Sequence, residues 1–217
     1  MQAFHFISAQ YGLEDITERC LKVATYDELN DPFEMWAPDL SNPTLLATFE
    51  QMKAELSCTH GMLCFSRRWD NPVQWSHYAD KHRGFCLGFE IDDEKIARVQ
   101  YSSRRVPVKM EHLLNASKID RFEIQKWFLT KYSHWKYENE VRILVKLGQR
   151  FDNGLYFAPF SDEMKLIKVI VGSQSKVTRE QIRSALGGLS QHVTMFKTEL
   201  SKNSFKVIRL EREEAWV

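Results

Sequence analysis

Two Asn-Pro pairs constrain the first half of this chain most, because each is a strong start signal for a helix. Asn42-Pro43 and Asn71-Pro72 each place an N-cap asparagine before a proline at the first helical position. A short apolar segment follows each predicted helix, Gly61–Ser66 after the first and Gly84–Glu90 after the second. We expect both segments to be buried strands, and the second helix to end at about Lys81.

Further apolar patterns predict strands on both sides of these two units, with few strict β-α-β repeats. Strands are predicted at residues 3–8, 21–24, 140–147, 166–171, 193–198 and 205–210. Helices are predicted at residues 13–20 and 111–135, and from the capping box 178–181 to the glycines at 187–188. This order predicts an α+β fold with a mixed, largely antiparallel sheet and flanking helices. No linker interrupts the chain, so we expect a single domain over residues 1–217.

Composition excludes several classes of protein. Lys and Arg total 30 and Asp and Glu total 29, so there is no overall basic field of the kind that coats nucleic acid. The four cysteines show no Cys-x-x-Cys spacing and no paired His motif, so no metal site is predicted. No apolar run approaches the ~20 residues of a membrane span, and the first residues do not resemble a signal peptide. We therefore expect a cytoplasmic protein that does not associate with membranes.

Polar residues alternate with core residues in the segment from Trp135 to Val145. On a strand, Glu138, Glu140 and Arg142 would share one face, opposite a core face. Two carboxylates this close raise the pKa of one of them unless a cation offsets their repulsion. Such a group suits general base catalysis or the stabilisation of a developing positive charge. The alternative is a solvated ion pair on a polar strand face.

A second candidate group lies in the predicted helix after Asn71-Pro72. Trp75 and Tyr78 share a helical face, on which they serve either as core residues or as a platform for a ligand ring. His77 lies on a different face, and its near-neutral pKa makes it a candidate acid or base. Short basic groups at 67–68 and 81–83 flank this helix, either as phosphate contacts or as solvated ends of elements.

The segment Asn30-Asp31-Pro32-Phe33-Glu34 reads as a tight turn. Asp31 and Pro32 are typical turn residues, and we expect Phe33 to fill the core. This interpretation is preferred to a catalytic role for Asp31 or Glu34.

Several motifs together resemble a bacterial family of unknown function. The resemblance runs through most of the chain, and the family carries no assigned activity. The motifs are residues 30–34 (Asn-Asp-Pro-Phe-Glu), 64–66 (Cys-Phe-Ser), 75–80 (Trp-Ser-His-Tyr-Ala-Asp), 84–89, 135–142 (Trp-Lys-Tyr-Glu-Asn-Glu-Val-Arg) and 167–172.

A more distant resemblance is to toxins with the ADP-ribosyltransferase fold, including those that act on nucleic acid. This resemblance implies a split mixed sheet around a cleft that binds NAD. His5 with Ser8 is similar to the first motif of these enzymes, Ser66 to the second, and Glu140 to the third, with Glu138 completing a Glu-x-Glu pair. The first motif here reads His-Phe-Ile-Ser rather than the tighter His-Gly-Ser, and a Ser-Thr-Ser triplet is absent.

The resemblance to ADP-ribosyltransferases also implies roles for these residues. Glu140 would stabilise the positive charge that forms on the ribose when nicotinamide leaves, and Glu138 would position or deprotonate the acceptor. His5 would hold the ribose, and Arg142 would orient Glu140 or meet a phosphate. The nicotinamide ring would stack on Trp75 or Tyr78.

The substrates implied are NAD and a macromolecular acceptor, which is RNA, DNA or protein. A toxin or phage-defence effector of this kind also implies an inhibitor protein such as an antitoxin.

Two other classes of function remain open from the residues alone. One is a metal-independent nuclease, or another nucleic-acid enzyme, that uses His77 and Glu140 with the arginines at 67–68. The other is a non-enzymatic binding module in which Glu138 and Arg142 form a structural pair. Dependence on NAD separates the transferase from the nuclease. The binding module predicts instead that Glu140→Gln leaves the biological activity of the protein intact.

Overall fold

An eight-stranded sheet forms the centre of the computed structural model, which describes residues 1–34, 36–108, 121–212 and 216. The strands are β1 Gln2–Ile7, β2 Cys20–Val23, β3 His60–Ser66, β4 Phe85–Ile91, β5 Ala97–Arg98, β6 Gln100–Ser102, β7 Thr130–Tyr132, β8 Glu140–Lys146, β9 Tyr156–Pro159, β10 Met164–Val171, β11 Thr194–Leu200 and β12 Val207–Arg209. The α-helices are α1 Ala9–Glu18, α2 Pro43–Thr59, α3 Pro72–Tyr78, α4 Arg121–Phe128 and α5 Arg179–Leu186.

The strand order of the large sheet is β12-β11-β10-β4-β1-β3-β8-β5. Neighbouring strands run antiparallel throughout, except that β10 and β11 are parallel. Strands β2 and β9 form a small antiparallel sheet, and β6 and β7 form a small parallel one. The α+β class and the mixed, largely antiparallel sheet with flanking helices are therefore confirmed. No helix in the described ranges is long and apolar enough to cross a membrane.

The large sheet is weakly paired at its centre, between β1 and β3. Strand β1 pairs with β4 over residues 2–7, but its only register partner on β3 is Ser66, which lies opposite Phe4. Beyond that position, the His5 ring bridges the two strands, because its Nδ1 lies 2.9 Å from the carbonyl oxygen of Cys64. This divergence of β1 from β3 leaves space for side chains and for a cavity.

Both faces of the sheet are covered. One face packs residues of β4 and β10, such as Leu87 and Val169, against Ile16 of α1 and Ile182 of α5. On the other face, Trp75 of α3 lies in a second buried cluster. The layers thus bury the central strands on both sides, as their continuous apolar runs predict.

The helix after Asn71-Pro72 ends at Tyr78, so the prediction that it extends to about Lys81 was wrong. The backbone turns left-handed at Asp80, Lys81 and His82, with φ of 44°, 54° and 69°. At Gly84, just after this turn, the backbone lies directly against β1. A Cβ at this position would be only 2.1 Å from the carbonyl oxygen of Ile7, so the approach leaves no room for a side chain. Tertiary packing therefore stops the helix where its side chains alone would continue it.

The single helix predicted over residues 111–135 was also wrong after Phe128. Residues 111–120 lie outside the described ranges, and α4 ends at Phe128. The chain then pairs as β7 with β6, and a 3₁₀-helix follows over Ser133–Glu138. The Thr130 hydroxyl donates to the carbonyl oxygen of Lys126 at 2.6 Å, which satisfies one of the last carbonyls of α4. This change of structure brings Lys131 into the interior.

Candidate functional site

A cavity of about 130 Å³ opens where β1 diverges from β3. One wall is apolar, and the other carries carboxylates, an ammonium group and uncharged polar groups. The lining residues are Phe4, His5, Phe6, Leu29, Asn30, Glu34, Cys64, Phe65, Ser66, Gln74, Tyr78, Lys131, Glu138 and Glu140.

Lys131 is the centre of the charged wall. Its Nζ lies 2.7 Å from Glu138, 3.2 Å from Glu140 and 3.5 Å from Glu34, and the residue is only 5% exposed. Burial alone would lower the pKa of this lysine, but the charges of the three carboxylates outweigh it and raise the pKa. Lys131 therefore stays a cation and holds the three carboxylates together.

Glu140 is fixed from the other side by Arg142. The Arg142 Nε and Nη2 atoms donate to the two carboxylate oxygens of Glu140 at 2.6 and 3.0 Å, in a two-bond pair along the strand β8. Burial would raise the pKa of Glu140, but Arg142 and then Lys131 outweigh it and lower the pKa to about 2. Glu140 is thus ionised at any physiological pH.

Glu138 belongs to the same cluster, but its pKa is shifted in the opposite direction to that of Glu140. Tyr78 donates its hydroxyl proton to Oε1 of Glu138 at 2.5 Å, and Lys131 bonds to Oε2. Burial raises the pKa of Glu138, and the attraction of Lys131 does not fully offset burial together with the repulsion of Glu140. The site therefore holds two neighbouring carboxylates, one kept ionised and one made easier to protonate.

The local backbone explains how Glu138 reaches the cluster. It ends the 3₁₀-helix 133–138, Asn139 takes a left-handed conformation with φ of 49°, and β8 begins at Glu140. Glu140 and Arg142 share a strand face as predicted, whereas Glu138 arrives from a helix. The predicted meeting of the three residues is seen, but strand alternation explains only two of them.

His5 and Ser66 line the cavity from β1 and β3. Burial lowers the pKa of His5, so its ring is neutral at pH 7. The Ser66 hydroxyl donates to Oε1 of Gln74 at 3.2 Å, and Gln74 Nε2 donates to the carbonyl oxygen of Glu138 at 2.9 Å. These two hydrogen bonds link Ser66 on β3 to the backbone of Glu138 through the side chain of Gln74.

Four of the predicted site residues do not line the cavity. Ser8 caps α1 by accepting from the backbone nitrogen of Tyr11 at 3.4 Å. Trp75 is fully buried in the core. His77 is exposed on the outer side of α3. Arg142 lies behind the carboxylates, with 1% of its surface exposed.

The prediction that Phe33 fills the core was wrong, and it is Glu34 that points inward and lines the cavity. Asp31 accepts from the backbone nitrogen of Phe33 at 2.9 Å and closes a tight turn. The turn leaves Phe33 52% exposed and Glu34 only 3% exposed. The predicted turn is present, but no local pattern shows which of its neighbouring side chains points inward.

Lys131, Asn30 and Gln74 were missed for a related reason. The helix predicted over residues 111–135 includes Lys131, and nothing in the sequence indicates its contact with Glu138. Asn30 donates to the Tyr78 hydroxyl at 2.8 Å across a long separation in the chain. A chemical signal could have indicated Lys131, because two carboxylates with one arginine need a further cation nearby if the group is buried.

Residues 74–143 match the model of a family described as a protein of unknown function, DUF2971. The matched segment contains Gln74, Tyr78, Lys131, Glu138 and Glu140, which form most of the polar wall of the cavity. No curated protein and no solved structure matches this chain. The similarity to a family of unknown function is thereby supported over this segment. The family has no assigned activity, so the match does not indicate one.

Proposed function

We propose that this chain is an ADP-ribosyltransferase, which breaks the bond between nicotinamide and ribose in NAD and transfers ADP-ribose to a macromolecular acceptor. The observation that supports it is the pair Glu138 and Glu140 in one cavity, with pKa values moved in opposite directions. Neighbouring carboxylates of this kind divide acid–base and charge-stabilising roles between them. Reactions with an oxocarbenium-like transition state use such a pair.

The chemistry follows from the two protonation states. When nicotinamide leaves with the bonding electron pair, positive charge develops on the ribose. Glu140 remains ionised and stabilises this charge from a fixed position, with no reorganisation during the reaction. Glu138 accepts the proton that the acceptor nucleophile loses as its new bond to the sugar forms.

The cavity size defines which part of NAD would enter. A cavity of about 150 Å³ holds one benzene molecule, and the volume here is about 130 Å³. The cavity therefore has room for at most a single ring, between the phenylalanines of β1 and Tyr78, and the rest of the dinucleotide would lie outside. The neutral His5 ring and the Ser66 hydroxyl offer uncharged polar contacts to that ring.

The position of His77 weakens the alternative of a nuclease. Its ring contacts the Tyr137 hydroxyl at 2.9 Å on the exposed side of α3, and it does not share the cavity with Glu140. A purely structural role for the charged cluster would leave the adjoining cavity and its polar lining without an explanation.

The direct test is incubation of purified protein with labelled NAD and a cell lysate. We expect label on lysate macromolecules from the wild type, and a decrease of about 10²- to 10³-fold for Glu140→Gln. Glu90→Gln is the matched control, because Glu90 is exposed on β4. Thermal unfolding must show that each variant is folded. Undiminished transfer by a folded Glu140→Gln protein would contradict the proposal.

A further inference from the structure

A groove of about 600 Å³ lies on the other side of the segment that carries the two carboxylates. Tyr137 and Asn139 line this groove, whereas their neighbours Glu138 and Glu140 line the cavity. Residues 137–140 therefore separate the cavity of the candidate site from this larger groove.

Three parts of the fold supply the cations of the groove. The loop after β3 contributes Arg67 and Arg68, the 3₁₀-helix 133–138 contributes Lys136 and Tyr137, and the turn between β11 and β12 contributes residues 205–206. A hydrogen bond from the backbone nitrogen of Val207 to the carbonyl oxygen of Asp70, at 2.9 Å, joins the turn to the loop.

The charge of the groove differs from that of the whole protein. Four cations line it (Arg67, Arg68, Lys136 and Lys206), against the single carboxylate of Asp70. Asp70 is already paired with Arg68 at 2.7 Å and with Lys206 at 3.6 Å. Lys136 is exposed and has no side-chain partner within the described ranges. The groove is thus a local basic surface on a chain whose net charge is +1.

Phe205 adds an exposed aromatic ring to this basic surface. It is 99% exposed, although the turn that carries it is tied by a backbone hydrogen bond from Ser201 to Lys206 at 3.0 Å. A single exposed apolar residue is ordinary on a protein surface. Here the exposed ring borders a basic groove that Tyr137 and Tyr101 also line, and that combination is the basis of the inference.

We infer that the groove binds single-stranded nucleic acid. Proteins bind single strands through a positively charged groove that follows the backbone and through aromatic rings on which bases stack. The basic residues would meet phosphates, and Phe205 would stack on a base. A duplex fits this arrangement less well, because its bases are already stacked within the helix. That the strand is also the acceptor rests on the proposed function, whereas its binding does not.

The test is fluorescence anisotropy with a labelled single-stranded oligonucleotide, as RNA and as DNA of the same sequence, without NAD. We expect binding that weakens as salt is added, because released counterions drive phosphate contacts. Phe205→Ala should weaken binding by about 5- to 100-fold. Lys136→Glu should also weaken it and should reduce the salt dependence. A duplex of the same sequence should bind more weakly than either strand.

Matched controls lie outside the groove. Phe151→Ala removes another exposed phenylalanine, and Lys165→Glu reverses another exposed lysine. Both should bind as the wild type does. The inference is wrong if neither oligonucleotide binds, if Phe205→Ala binds unchanged, or if polyglutamate displaces the strand as well as unlabelled oligonucleotide does.

The outcomes separate this inference from the proposed function. A Phe205→Ala protein that still consumes NAD but no longer binds the strand supports the groove, since the cavity is untouched. A wild type that binds the strand but never consumes NAD contradicts the transferase and supports the groove. Tighter binding of the RNA or of the DNA oligonucleotide shows which type of nucleic acid the groove binds.

Discussion

The Nη1 atom of Arg142 lies 2.8 Å from a carboxylate oxygen of Glu34, although the two residues are far apart in the sequence. This oxygen has no hydrogen-bond partner within the described ranges, so the contact is an ion pair rather than a directed hydrogen bond. Arg142 also makes the two-bond pair with Glu140. One buried guanidinium therefore compensates two carboxylates that come from different parts of the fold.

We predict that Arg142→Met strongly destabilises the protein. The substitution leaves three buried carboxylates with Lys131 as their only cation in the cluster, and an uncompensated buried charge lowers the free energy of unfolding by about 3–5 kcal/mol. Urea denaturation at pH 7 measures this. Arg98→Met is the control, because Arg98 is exposed on the neighbouring strand β5. Equal effects of the two substitutions would contradict the role given to Arg142.

The low pKa of Glu140 predicts a specific loss of stability in acid. Its pKa is about 2 in the folded protein, against an ordinary value of 4.5. Since the folded pKa is the lower one, the stabilisation is complete above pH 4.5 and is lost as the pH falls towards 2. The lost free energy is on the order of 3 kcal/mol. Urea denaturation between pH 2.5 and 6 should show a shallower dependence for Glu140→Gln than for wild type. Parallel curves would show that Glu140 is not the group responsible.

Asp15 predicts the opposite pH dependence. Burial, with a smaller contribution from the charge of Glu14, raises the pKa of Asp15 from 3.8 to about 7. Its Oδ2 atom has no hydrogen-bond partner within the described ranges. Because the folded pKa is the higher one, stability falls as the pH rises from about 4 to about 7.

The variant Asp15→Asn keeps the side-chain shape and removes this charge. We expect it to be more stable than wild type by about 1–3 kcal/mol at pH 8, and equally stable near pH 3.5. Chemical denaturation at the two pH values measures the difference. Asp162→Asn, at an exposed position, should change neither value. A variant that is less stable at pH 8 would indicate that Asp15 has an ionic partner.

The bond from Tyr78 to Glu138 predicts a change in the pH profile of the proposed reaction. This hydrogen bond lowers the pKa of Glu138 against the effect of burial. Tyr78→Phe keeps the ring, removes the bond and should raise that pKa further, which moves the acid limb of the rate profile to higher pH. A hydrogen bond to a charged group contributes about 1.5–3 kcal/mol, so the rate at acid pH should fall roughly tenfold or more.

Initial rates of NAD consumption from pH 5 to 9 give this profile. Tyr156→Phe, on β9 and away from the cavity, should reproduce the wild-type curve. An acid limb that stays in place in Tyr78→Phe would mean that Glu138 is not the group that exchanges the proton.

Local signals predicted many of the elements around the site. Both Asn-Pro pairs cap helices as expected, with the Asn42 side chain accepting from Thr44 and Leu45 and the Asn71 side chain accepting from Val73. The capping box at Thr178 is likewise present. These features depend on hydrogen bonds between residues that are close in sequence, so a sequence is enough to predict them. The left-handed turn after Tyr78 depends instead on contact with β1, and local signals could not predict it.

The sequence by itself determined the α+β class, most strand positions and the pairing of Glu140 with Arg142. Strand alternation is a property of the backbone, so it places these two side chains on one face wherever the strand lies. Only the tertiary structure decided that Glu34 and Lys131 join them, that Ser8 and His77 lie elsewhere, and that a cavity opens between β1 and β3. Coulomb attraction and desolvation depend on distances in space and on exclusion of water. The opposite pKa shifts of Glu138 and Glu140 therefore exist only in the folded protein.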